Sequence, residues 1–132
     1  MSMQPVRPRY VAAIIERSDQ HILVAVPSAS EHSRQWMFPR GPATGKESAE
    51  SAMRRLALEQ LGLNIELVIG QPPLPFEIDG QGGEIRFFVC SVLGGQARPG
   101  PYAEVRWIPR THLREYDFDH SSKTVVDWLL DS

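Results

Sequence analysis

Residues 41–63 read GPATGKESAESAMRRLALEQLGL, a glycine-bearing loop that opens into a helix and stops at a further glycine. Ser48 is a good N-cap, Glu50 suits the positive end of the helix dipole, and Gly62 follows the last turn as a stop. β-rich apolar runs stand on both sides. YVAAIIE (10–16), the polar turn RSDQ and HILVAVP (21–27) predict a hairpin. After a polar loop at 28–34, QWMFP (35–39) predicts a short strand halted by proline, and 40–46 a loop. NIELVIG (64–70), EIRFFVCSV (84–92) and EVRWIPR (104–110) predict three more strands, the first two separated by a long loop containing PPLPF and DGQGG. A last helix is expected to begin near Ser121 or Ser122 and to run through TVVDWLL. Strands mixed with two helices define an α/β sandwich.

The chain is 132 residues long, enough for one domain with a single core and no staples. Its formal net charge of −2 gives no general basic bias, so a nucleic-acid polymer is not an expected partner. A lone Cys90, set in the apolar run FFVCSV, excludes an internal disulfide and reads as a buried structural thiol. No run has the length of a membrane span, and MSMQPVRPRY lacks an apolar signal core. A cytoplasmic protein without a membrane partner is the expectation. The four histidines (21, 32, 112, 120) are scattered with no metal-ligand spacing.

The loop and helix carry the chemistry. Reactions of di- and triphosphates need a divalent cation, which needs hard oxygen ligands. Carboxylates at i, i+3 and i+4 share one helix face, and a glycine loop lets backbone groups approach phosphates closely. The segment resembles the Nudix box, whose pattern is G, five residues, E, seven residues, then R-E-U-x-E-E-x-G-U with U aliphatic. Gly41, Glu47, Arg55, Glu59 and Gly62 fall on its fixed positions without gaps, and Ala57 and Leu63 on its aliphatic ones. The resemblance extends to Trp36-Met37-Phe38-Pro39, to EVRWIP (104–109) and to DFDHSSKTVVDWLL, which is similar to the C-terminal helix of the MutT-like branch. It implies a Nudix fold, an α/β/α sandwich around a mixed β-sheet, as one domain over 1–132 with its core at about 9–131.

The same resemblance implies a pyrophosphohydrolase that cleaves a nucleoside diphosphate linked to a group X with Mg2+ or Mn2+. The implied catalytic residues are Glu59, Arg55 and Glu47. The implied metal contacts are Glu59, Gln60 and the loop carbonyls near Gly41, with a nucleotide or other phosphorylated small molecule as partner. Arg40, Gly41 and Lys46 could face phosphates as a rim beside Arg55, or Arg40 and Lys46 could be solvated loop charges. The box arginine commonly pairs with the upstream glutamate, which makes Arg55–Glu47 the expected pair. Ser122 occupies the place where MutT-like members read a base, and it is equally a plausible helix N-cap.

Two positions depart from the pattern: Leu56 and Gln60 stand where the box has carboxylates. Leu56 can neither bind metal nor move a proton, and Gln60 offers only a neutral carbonyl. At about 100° per residue, Ala49, Ala52, Met53, Leu56 and Gln60 fall within about a quarter of the helix circumference. Leu56 therefore either extends the core or belongs to a metal face rebuilt for a different ligand. Glu50 lies nearly opposite Glu59. Glu104 is either an acid that assists catalysis or an ordinary exposed one. Tight magnesium binding without substrate is not expected. Either activity is reduced or altered, or the domain is catalytically silent and binds a nucleotide-like ligand or a protein.

Overall fold

The computed structural model describes residues 8–28, 35–78 and 80–131, with Ile78 described by its backbone alone. Most of the expected loop at 28–34, His32 and most of the N-terminal segment lie outside the described residues.

The central strand β1 (Arg9–Glu16) is apolar without alternation because both of its faces are buried. It runs parallel to the long β6 (Gln81–Gly95) from Arg9↔Glu84 to Glu16↔Ser91. Beyond β1 lies β2 (His21–Pro27), its hairpin partner, and then the antiparallel β7 (Tyr102–Pro109). On the other side, β6 pairs antiparallel with β4 (Leu63–Gly70) through its second half and with β5 (Leu74–Ile78) through its first. One more strand, β3 (Arg40–Pro42), lies antiparallel to the start of β1. The sheet is therefore mixed.

Each face carries one helix. Val11, Ala13 and Ile15 of β1 face a core closed by α1 (Ala49–Leu56), a π-helical turn over Ala57–Leu61, Phe88 and Cys90. Ala12 and Ile14 face the opposite core, closed by Phe38, Phe87, a 3-10 segment (Arg110–Glu115) and α2 (His120–Asp131). Alternate residues of one strand thus feed two cores, which is the α/β/α sandwich.

Four local expectations are corrected. Residues 35–39 do not form a strand; Trp36 and Met37 make only isolated bridges, to Phe118 and Ala25. Arg40–Pro42 is strand rather than loop, because the open edge of β1 supplies its partners. The long loop before β6 contains β5, whose proline and short length hide a hairpin. Finally, α2 starts at His120, beside Ser121 as expected, but Ser122 lies inside it and is not its N-cap. Asp119 stands at its entry, its carboxylate accepting from the Ser122 amide and its carbonyl from Lys123. Phe38 and Phe87 are fully buried in the core, and the Phe88 ring lies under Arg86.

Candidate functional site

The helix begins as its sequence dictates. Ser48 accepts from the Ser51 amide at 3.0 Å, and Gly62 closes the last turn at φ 72°, donating to the Ala57 and Leu58 carbonyls. A π turn winds each residue through a smaller angle than an α turn, since its hydrogen bonds span five residues. Gln60 therefore comes nearer in line with Leu56 than a regular helix would set it.

One side of the helix keeps an ionic row. Arg55 Nε and Nη2 donate to both oxygens of Glu47, at 2.7 and 2.9 Å. Arg55 also reaches Glu59 at 3.1 Å and the Pro42 carbonyl at 3.0 Å. Glu47 further accepts from the amide and hydroxyl of Thr44, which folds the loop back onto the helix. Its carboxyl is held down to about 2, first by the Arg55 hydrogen bonds and next by the Thr44 amide. The same pairing raises Arg55. Arg55 and Glu47 are thus the expected pair. Glu59 is the open member, with its side chain 59% exposed.

The adjacent side is rebuilt. Leu56 is 5% exposed and belongs to the α1-side core. It is packed on Gly41, where an added Cβ would meet Leu56 Cδ2 at 2.8 Å and Cδ1 at 2.9 Å. A side chain at 41 would have to push the Leu56 methyls aside, so Leu56 and Gly41 are in direct contact.

Gln60 is occupied by hydrogen bonds. Its Nε2 donates to the Arg40 carbonyl at 3.1 Å, and its Oε1 accepts from the Tyr102 hydroxyl at 2.9 Å. The Arg40 amide donates to the same hydroxyl at 2.8 Å. Tyr102 was not singled out by the sequence. Strand alternation would place it with Glu104 and Arg106, but the register shifts between Val26 and Pro27 and leaves Ala103 without a partner. This bulge turns Tyr102 onto the face of Val105 and Trp107, which pack on the α1-side core. A dislocation of period at the head of EVRW was the available signal, invisible without the β2 register.

Arg40 departs from the phosphate-facing expectation. Its side chain is 7% exposed and points toward α2. Nε donates to the Phe38 carbonyl, Nη1 to Asp119 and Ser121, and Nη2 to Asp119 and Ser122. With every N–H committed, its charge serves Asp119 rather than a ligand. Burial works against the Asp119 charge, yet the Arg40 charge and the serine hydrogen bonds hold its carboxyl below the ordinary range. Ser122 is likewise corrected as a ligand contact: it is fully buried, its hydroxyl accepting from Arg40 at 2.7 Å. Lys46 is exposed on the loop and makes no ion pair among the described residues. Glu104 pairs with Arg106 at 2.6 Å on the sheet face of Ile108, which belongs to the α2-side core and is opposite the box helix.

A Mg2+ or Mn2+ ion asks for about six hard oxygens, several of them charged. The helix offers Glu59, while Leu56 has no donor atom and both Gln60 Oε1 and the Arg40 carbonyl are engaged. No group of three or more His, Cys, Asp or Glu able to hold a metal occurs among the described residues. This donor set does not fit a tightly held cation, and Gln60 is corrected as a free metal ligand.

The fold and box geometry agree with the comparisons. The NUDIX domain model matches residues 6–129, and the chain belongs to the Nudix family. The E. coli ORF135 protein is similar in structure with a TM-score of 0.77 at 23% identity, covering 97% of this chain and 94% of that one. MutT, described from the fish pathogen Aliivibrio salmonicida and from Vibrio cholerae, gives a TM-score of 0.71 at 26% identity, with 96% and 98% covered. A C. elegans Ap4A hydrolase in a binary complex gives 0.75 at 12% identity, with 91% and 93% covered. No curated protein matches the sequence. Among the described residues no helix is long and apolar enough to cross a membrane.

Proposed function

We propose that this chain, as a single Nudix domain, binds a nucleoside diphosphate linked to a further group and does not hydrolyse it efficiently by the metal route. The observation that supports this reading is the placement of Leu56 and Gln60. One closes the core over Gly41, and the other is hydrogen-bonded to the loop carbonyl that a cation would approach. Hydrolysis at phosphorus needs neutralised phosphate oxygens and an activated water. The helix supplies a single open carboxylate for both tasks.

A place for the ligand lies across the sheet from this helix, on the α2 side. A cavity of about 480 Å³ opens between β5 and α2, lined by Leu74, Phe76, Glu77, Asp119, His120 and Thr124 among others. Its volume suits a small molecule. Its open carboxylate, Glu77, opposes phosphate and matches an N–H donor of a heterocycle, while Asp119 is already committed to Arg40, Ser121 and Ser122. The phosphates of such a ligand would lie toward Lys46 and the box loop. The relatives point the same way, since one is a MutT and another an Ap4A hydrolase.

The test is a panel of nucleoside triphosphates, ADP-ribose and dinucleoside polyphosphates, with magnesium or manganese, read by thermal shift and by product. At least one ligand should raise Tm without yielding product in proportion to time. Turnover that disappears in Glu59→Gln would instead establish a hydrolase built on that one carboxylate. No shift with any member would remove the nucleotide ligand.

A further inference from the structure

The hydrogen bonds around Arg40 close on themselves. The Arg40 N–H donates to the Tyr102 oxygen, the Tyr102 O–H donates to Gln60 Oε1, and Gln60 Nε2 donates to the Arg40 carbonyl. The Tyr102 hydroxyl also lies 3.0 Å from the Arg40 carbonyl, but it has one proton to give. With the Gln60 amide already serving that carbonyl, the proton goes to Oε1. Every member of the ring is then satisfied and neutral. Tyr102 keeps its proton, because burial pushes the phenol up against the opposing influence of Arg40.

The ring joins three segments distant in sequence: the end of the box helix, the β3 strand and the head of β7. Leu56 seals it from below through its contact with Gly41. From the other face of the sheet, the Arg40 side chain ties the same residue to Asp119, Ser121 and Ser122. A carboxylate at position 60 would meet the Arg40 carbonyl as acceptor against acceptor. Such a pair holds together only with a cation between them. An amide supplies its own hydrogen.

We propose that the Gln60–Tyr102–Arg40 ring is a cation-free latch, an uncharged replacement for the divalent ion that would otherwise join the helix to the loop. The inference rests on the reading that the hydrolytic metal site is dismantled, and it goes further by assigning the structural half of the metal's task to Gln60 and Tyr102. The latch makes the stability of the fold indifferent to magnesium and manganese.

The experiment measures Tm of the wild-type chain, Gln60→Glu, Gln60→Met and Tyr102→Phe, each with chelator and with millimolar Mg2+ or Mn2+. The wild-type Tm should not move with cation. Gln60→Glu should fall by about 5 °C in chelator, the effect of leaving a part-buried acceptor unpaired, and should recover most of that loss with cation. Gln60→Met and Tyr102→Phe should fall without recovery, which separates a missing bridge from a merely disturbed core. A Gln60→Glu protein as stable as wild type in chelator, or one that loses stability and ignores cation, would overturn the latch. So would a wild-type protein stabilised by cation through Glu59. These readouts involve neither ligand nor turnover, so ligand binding without hydrolysis can stand while the latch fails.

Discussion

Two sides of one helix have gone different ways. The side bearing Glu47, Arg55 and Glu59 keeps its charges and lies open at Glu59, whereas the adjacent side bearing Leu56 and Gln60 is closed and neutral. Both sides hold the box loop, by different physics. On the first, a guanidinium collects two carboxylates and the Pro42 carbonyl. On the second, a leucine packs on Gly41 while an amide and a phenol hold the neighbouring peptide. The comparison shows that the box loop is seated on its helix by a neutral contact on one side as well as by ion pairs on the other.

The sharpest way to break this comparison is to return a charge to the closed side. Leu56→Glu alone places a carboxylate against Gly41 in the core and should cost about 3 kcal/mol in denaturant unfolding. A variant as stable as wild type would mean that the position opens to water. Next in size, Gly41→Ala should cost about 1–3 kcal/mol by overpacking against Leu56. Adding Leu56→Ala should make the double variant more stable than the sum of the two losses predicts. Simple additivity would show that the two residues do not interlock.

The open side responds to acid instead. The Glu47 carboxyl falls from an ordinary 4.5 to about 2 in the fold. A depressed carboxyl stabilises the fold fully above its unfolded pKa, and that contribution is lost as pH falls through the folded one. The stability difference between wild type and Glu47→Gln should therefore be constant above about pH 4.5 and shrink toward about pH 2. A difference independent of pH would separate Glu47 from Arg55. Smallest of all is the effect at Cys90, which lies in the core beneath the closed side. Burial pushes its thiol up to about 12, so a thiol reagent at neutral pH should label it only on unfolding. Rapid labelling of the native protein would show that this core is open.

Much of the frame was legible in the sequence because its causes are local. The Ser48 cap, the Gly62 stop and the unbroken apolar runs of β1 and β2 follow from conformational preference and burial pattern. The apolar stripe through Leu56 was legible for the same reason. What escaped depends on partners far along the chain. Arg40–Pro42 looks like loop and becomes strand only because β1 has an open edge. Leu74–Ile78 carries a proline and pairs regardless, being an outer strand. Tyr102 reaches Gln60 only through a bulge set by the register against β2, and Arg40 turns inward because Asp119, 79 residues later, attracts it. The site residues nearest in sequence were the readable ones. Leu56 and Gln60 were among them; Tyr102, the distant partner that engages Gln60, was not.

The most direct test of the account is magnesium- and manganese-dependent turnover by the wild-type chain beside Glu59→Gln and the double variant Leu56→Glu/Gln60→Glu, on one ligand that raises its Tm. The account predicts no efficient product formation by wild type or by Glu59→Gln, and cation-dependent product from the double variant. Efficient wild-type turnover abolished in Glu59→Gln would contradict it.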